Sequence, residues 1–220
     1  MQNQQLNALK TLIKIVEKPV GPKPGFEITD VIKLFFLLGE GAPKGRKSLS
    51  KELRLGEGSV RTLLNRLQEN GLVKMDRGGC RLTESGASIY RELAKTITKP
   101  KPVDAGLFSQ GAWNYAILIR GSAVKIRSGL EQRDAAVRAG ASGATTLLYR
   151  AGRFSLPGVD VDVERTYPSN FWKTLRDLLN PMDGDSIIIV GAGSAKDAER
   201  GALTAALQTL LADLPISQKT

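Results

Sequence analysis

Residues 47–82 read KSLSKELRLGEGSVRTLLNRLQENGLVKMDRGGCRL, and their folding decides the front of the chain. Ser48 and Ser50 are residue types that cap helix starts, which predicts a short helix near residues 49–53. Gly56 or Gly58 supplies the φ > 0 that a tight helix-to-helix turn uses. From Ser59 onward, Val60, Leu63, Leu64 and Leu67 recur at helical spacing and make one apolar face. Arg61, Thr62, Asn65 and Arg66 fall elsewhere on that helix, and Gly71 stops it. Leu72, Val73 and Met75 run into the turn signal Asp76-Arg77-Gly78-Gly79, and Cys80-Arg81-Leu82 returns as a second strand. A helix with Arg, Thr and Asn outward, followed by a basic hairpin, has the chemistry of a groove reader with a phosphate-gripping loop.

The stretch SLSKELRLGEGSVRTLLNRLQENGLV, with RLTESG after the hairpin, resembles the winged-helix domains of bacterial and archaeal transcription regulators. The resemblance runs over residues 26–97, about a third of the chain. Farther on, RSGLEQRDAAVRAGASGATTL (127–147) and IIIVGAGSAKDAERGAL (187–203) are similar to a group of archaeal winged-helix proteins whose second domain has no assigned function. The resemblance implies a DNA-binding front domain and leaves the role of the back domain open.

Composition narrows the choices. The 220 residues suit two domains of roughly 100 each as well as one large one. Residues 1–110 carry 19 Lys/Arg against 11 Asp/Glu, and residues 111–220 carry 13 against 11, so the attraction for a polyanion sits in the front half. With one cysteine, Cys80, and no histidine, an intrachain disulfide framework, Cys/His zinc sites and histidine acid–base chemistry all fall away. No metal, cofactor or catalytic residue is expected. No apolar run approaches the roughly 18 residues of a membrane span. The start MQNQQLNALK lacks the apolar core of a signal peptide, so the cytoplasm is expected.

Three segments follow from the order of patterns: a leader at 1–25, a DNA-binding unit at 26–98 and an α/β domain at 105–214. In the leader, Leu6, Leu9, Leu12, Ile13 and Val16 form a helical stripe that needs a cover, from the same chain or from a second subunit. Residues 26–39 read as the first helix of the DNA-binding unit, 41–47 as a basic loop and 83–97 as a closing helix. The prolines of Thr98-Lys-Pro-Lys-Pro-Val-Asp104 mark a stiff, extended linker. Beyond it come strands at 114–120, 144–150, 159–164 and 185–190, with helices at 128–139, 170–179 and 195–211. VDVDVE at 159–164 alternates strictly, as a half-exposed strand does. The fold class is therefore α+β: a winged helix-turn-helix followed by a βαββαβ, ferredoxin-like domain with one helix added.

Candidate sites follow from these placements. Arg61, Thr62, Asn65 and Arg66 face base edges and phosphates, with Ser59 at the start of the same helix. Arg pairs with guanine and Asn with adenine. Lys74, Arg77 and Arg81 on the hairpin, with Lys44, Arg46 and Lys47 in the loop, suit phosphates. The bland alternative is a solvated helix face. In the back domain, Gly191-Ala-Gly193-Ser194 joins a buried strand to a helix, and with Lys196 it suits an anion at a helix start. It lacks the third glycine of a dinucleotide fingerprint and the GK[ST] of a P-loop, and a tight strand-to-helix turn capped by Ser194 alone explains these residues. Arg127 and Arg133 form a second cluster that grips an anion or pairs with Glu131 and Asp134. Asp160, Asp162 and Glu164 are either three oxygen ligands for a cation or a solvated strand face. Cys80 reads as a small apolar filler.

The expected protein is a cytoplasmic transcriptional regulator that binds duplex DNA, as a homodimer on two half-sites. Its back domain senses a small anionic effector or mediates dimerisation. The alternative is a winged helix fused to a nucleotide- or phosphate-handling enzyme domain.

Overall fold

The computed structural model describes residues 2–17, 24–39, 41–108 and 110–212, and the side chains from Asn7 onward. The chain divides into two compact units that meet between Thr96 and Ile97.

The first unit begins with α1 (Gln2–Val16). Its Leu9 and Leu12 are buried, with Ala8 and Ile15 beside them, and Ile13 and Val16 are half-buried. The side chain of Leu6 lies outside the described residues. The stripe packs on α2 (Ile28–Gly39) and α5 (Glu84–Thr96) of the same unit, so it no longer calls for a second subunit. Helix α3 (Arg46–Leu53) starts at Gly45, earlier than expected, and has no side-chain cap. Ser48 instead donates to Glu52 and Ser50 to the Leu55 carbonyl, which corrects their assignment as caps. The turn into α4 (Glu57–Glu69) uses no glycine at positive φ: Arg54 takes φ 56°, while Gly56 lies at φ −61°. The N–H groups of Arg54 and Leu55 close back on α3 at 3.3 and 3.1 Å, so the left-handed residue falls directly after Leu53.

Strands β1 (Val73–Asp76) and β2 (Gly79–Leu82) form the hairpin, in register Val73↔Leu82 to Asp76↔Gly79. Lys44 exchanges two backbone bonds of 2.9 Å with Cys80, so the expected loop contributes a third edge to the hairpin. The TESG segment (83–86) that follows is a joint. Thr83 Oγ1 accepts from the Gly86 N–H at 3.1 Å and donates to the Gly71 carbonyl at 2.6 Å. A Cβ on Gly86 would lie 2.0 Å from the Leu72 carbonyl oxygen, so only glycine lets α5 come this close to the start of β1.

The second unit is an all-antiparallel sheet in the order β3 (Lys101–Pro102), β4 (Trp113–Ile119), β7 (Ser186–Ala192), β5 (Gly143–Arg150), β6 (Arg153–Ser155). One face is covered by α6 (Leu130–Arg138) and α9 (Ala195–Leu210). The other buries Ala116, Leu118, Leu147, Phe154, Ile187 and Ile189 under α8 (Phe171–Leu179). Cover on both faces explains the unbroken apolar runs of β4 and β7.

Three expectations are corrected. The strand order is not ferredoxin-like, because β7 lies between β4 and β5 while β6 is an edge. Burial decides this: every residue of β7 is buried, whereas β6 presents Arg153 and Ser155 and suits only an edge. Residues 159–164 are not a strand. Asp160 accepts from the Asp162 N–H at 2.8 Å, and Asp162 caps the short helix α7 (Val163–Thr166), so the alternating acids are turn and cap residues. The stretch 98–104 is not a free linker either. The Thr98 N–H donates to the Leu118 carbonyl at 3.0 Å, and Lys101–Pro102 forms edge strand β3.

Two substitutions test this packing with opposite signs. Gly86→Ala should lower the unfolding free energy by about 2 kcal/mol, because the added methyl meets backbone that cannot give way. Ala151 holds φ 48° beside Gly152 at 76° in the two-residue turn between β5 and β6. Ala151→Asn should raise stability by about 1 kcal/mol, since Asn tolerates this region and Ala does not. Denaturant titration reads both, and equal effects on the two variants would refute the local geometry.

Candidate nucleic-acid interface

Helix α4 buries Val60, Leu63, Leu64 and Leu67 and exposes Arg61, Thr62 and Asn65, as the spacing predicted. Thr62 donates its hydroxyl to the Gly58 carbonyl at 3.0 Å and keeps its acceptor sites. Arg66 is different. Its Nη1 donates to the carbonyls of Ile15 at 3.2 Å and Val16 at 2.9 Å, at the end of α1. Its guanidinium lies 5.5 Å from the Phe26 ring centroid. A cation that closes the last carbonyls of a helix also meets the negative end of its dipole, so Arg66 is a structural tie. Ser59 is half-buried against Gly25, where an added Cβ would sit 2.6 Å from its Oγ. Both residues therefore leave the list of candidate contacts.

The remaining cations divide by their partners. Lys44 pairs with Glu52 at 3.2 Å, and Arg81 pairs with Asp76 on the hairpin. Arg81 stands directly across from Lys74, and Asp76 relieves that like-charge pair. Arg46, Lys47, Arg61, Lys74 and Arg77 are exposed and make no side-chain bond among the described residues. They are not scattered. Arg46, Lys47 and Arg61 line one concavity, with Glu57 and Gly58. Arg46 also lines the next one, with Met75, Asp76 and Arg77 of the hairpin. Arg46 thus links the outer side of α4 to the hairpin tip. Behind the tip, burial pushes the Cys80 thiol up to about 11, which keeps it neutral and unreactive at ordinary pH.

The second unit does not assemble the expected anion site. A Cβ on Gly191 would lie 2.7 Å from both the Gln110 carbonyl carbon and Asn114 Oδ1, so this glycine makes room for the chain's own Gln110 and Asn114. Ser194 caps α9 by accepting from the Asp197 N–H at 3.1 Å, and it donates to the Asp197 carboxylate at 2.6 Å. That carboxylate already supplies the negative charge a helix start favours. Gly193 and Lys196 are exposed beside it. Arg127 and Arg133 lie at the other end of the layer. Gln132 Nε2 meets Thr209 Oγ1 at 3.1 Å, so the start of α6 sits by the end of α9, roughly 20 Å along that helix from Ser194. The acids 160, 162 and 164 also part ways. Asp162 pairs with Arg153 at 3.0 Å, while Glu164 binds Arg176 and accepts from the Phe154 N–H. No helix among the described residues is long and apolar enough to cross a membrane.

The division of arginines on α4 has a direct test. Arg66→Ala should cost about 2 kcal/mol of stability, the range for hydrogen bonds from a charged group. Arg61→Ala should stay within about 0.5 kcal/mol, as surface changes do. Unchanged unfolding of the Arg66 variant would refute its role as a tie.

Comparison with known proteins follows the same division into units. Residues 27–88 match the family described as "PH0730-like, N-terminal domain". Residues 110–210 match the family described as "Domain of unknown function (DUF4443)". No curated protein matches the chain. Among solved structures, the chain is similar to "Hypothetical protein PH0730 from Pyrococcus horikoshii OT3", with 28% sequence identity and a TM-score of 0.67 over 88% of this chain and 97% of that one.

Proposed function

We propose that the protein is a DNA-binding transcriptional regulator whose first unit is a winged helix-turn-helix. Helix α4 enters the major groove and presents Arg61, Thr62 and Asn65 to base edges, where Arg and Asn make bidentate pairs. The hairpin is the wing, and Lys74 and Arg77 hold the backbone. Arg46 and Lys47 hold the phosphates beside the start of α3.

The observation that carries this reading is the start of α3. Arg46 opens its first turn, Lys47 follows, no acid stands there, and Gly45 offers no cap. Cations at the positive end of a helix dipole oppose folding by about 0.3–1 kcal/mol each. A phosphate at that point reverses the sign of the term, because it meets both cations and the helix N–H groups. A local choice that weakens the fold and gains only with an anion present supports an anionic partner. The adjoining Arg61 and Arg77 extend that partner beyond one phosphate. For the second unit, the separation of Arg127 from Ser194 favours assembly over sensing of an anionic effector. The rival reading of an enzyme domain gains nothing from a Gly191 whose surroundings are filled by Gln110 and Asn114.

Duplex binding by the full chain should weaken steeply with salt. Four phosphate contacts, from Arg46, Lys47, Lys74 and Arg77, give a slope of log K against log salt near about −3.6. Arg77→Ala should weaken all sequences alike and reduce that slope by about one. Asn65→Ala should flatten sequence preference at a cost of about 1–3 kcal/mol on the preferred site. Binding that ignores salt, or no binding at low salt, contradicts the reading.

A further inference from the structure

Helix α6 carries an outward surface that nothing else among the described residues of its unit covers. Its inner side buries Gln132, Ala135 and Ala136 against the sheet and α9. On the opposite side, Leu130 is 58% exposed and Val137 is 42% exposed. Between them stand Arg133 and Asp134, whose side chains are 55% and 56% exposed and meet only at 3.6 Å. Neighbouring residues with such exposure gain little from pairing with each other. Helical geometry puts Leu130, Asp134 and Val137 on one line, at i, i+4 and i+7, with Arg133 beside it. Val124, in the 3-10 turn Ala123–Lys125 just before the helix, is 81% exposed and adds further apolar surface.

The order along that line is self-complementary. A two-fold axis passing between Arg133 and Asp134 sets Leu130 opposite Val137 of a second α6 running antiparallel. The same axis sets Arg133 opposite Asp134 of the second copy, twice over. An interface in which residue i meets j while j meets i is the signature of a symmetric dimer. A different partner would need the reverse charge order by coincidence, whereas a second copy supplies it automatically. We infer that α6 is the homodimer contact, pairing antiparallel with its copy through Leu130, Arg133, Asp134 and Val137.

The inference does not depend on DNA binding, and its test reads mass alone. Sedimentation velocity of the full chain at tens of micromolar, a range that reveals a micromolar dimer, should show a dimer. Arg133→Glu sets acid against acid across the axis, and Asp134→Arg sets base against base. Each variant alone should raise the dimer dissociation constant at least about tenfold, as like charges in apposition do. An equimolar mixture of the two variants restores both opposite pairs and should dimerise, as should the chain carrying both changes. Melting temperatures close to that of the parent chain show that the variants fold. A monomeric parent chain would overturn the inference. So would single variants that dimerise like the parent, or a mixture that stays monomeric.

Discussion

Arg66 holds the front unit together at the point where its function is proposed to begin. Its guanidinium closes two carbonyls at the end of α1 and lies over Phe26 while projecting from α4. One side chain therefore joins α4 to two earlier pieces of chain, the end of α1 and Phe26. With Ser59 packed close to Gly25, it fixes the inward side of α4 beyond the burial of Val60, Leu63, Leu64 and Leu67. The remaining positions, Arg61, Thr62 and Asn65, then point outward from a rigid helix. A polar surface serves recognition best on an element that cannot rotate, because its groups are already placed when a partner arrives.

The two units handle charge differently. The first leaves Arg46, Lys47, Arg61, Lys74 and Arg77 without side-chain partners among the described residues. Around its sheet, the second ties ions to its own framework. Asp185 receives Arg120 at 2.7 Å and the N–H groups of Gly121 and Met182 at 2.8 and 2.9 Å. Glu164 binds Arg176, and that guanidinium lies 5.1 Å from the Phe154 ring centroid. Charges spent on backbone and neighbours hold a sheet and its loops in place, whereas unspent charges remain for a partner.

Much of this was legible in the sequence because burial imposes periodicity. The inner face of α4 and the buried strand around Ile187–Val190 follow from spacing, and the hairpin turn at Asp76–Gly79 from its turn-forming residues. What sequence could not show depends on contacts between distant residues. Arg66 looks like any exposed arginine until α1 is seen to end beside it, 50 residues away. Gly191 looks like a ligand-binding glycine until Gln110 and Asn114 are seen to occupy its space. The alternation at 159–164 has the period of a strand, yet Asp160 and Asp162 bond to nearby N–H groups and turn the chain. Strand order was the least legible feature. Spacing shows that β7 is buried but not which two strands bury it.

The most direct measurement of the account is the pattern of backbone amide NMR shifts when the full chain is titrated with a short duplex of about two helical turns. The account predicts shifts concentrated at residues 46–47, 61–65 and 74–77, with Arg66 and the amides of 110–210 little changed. Shifts centred on 127–133 or 191–196, or no shifts at low salt, would contradict it.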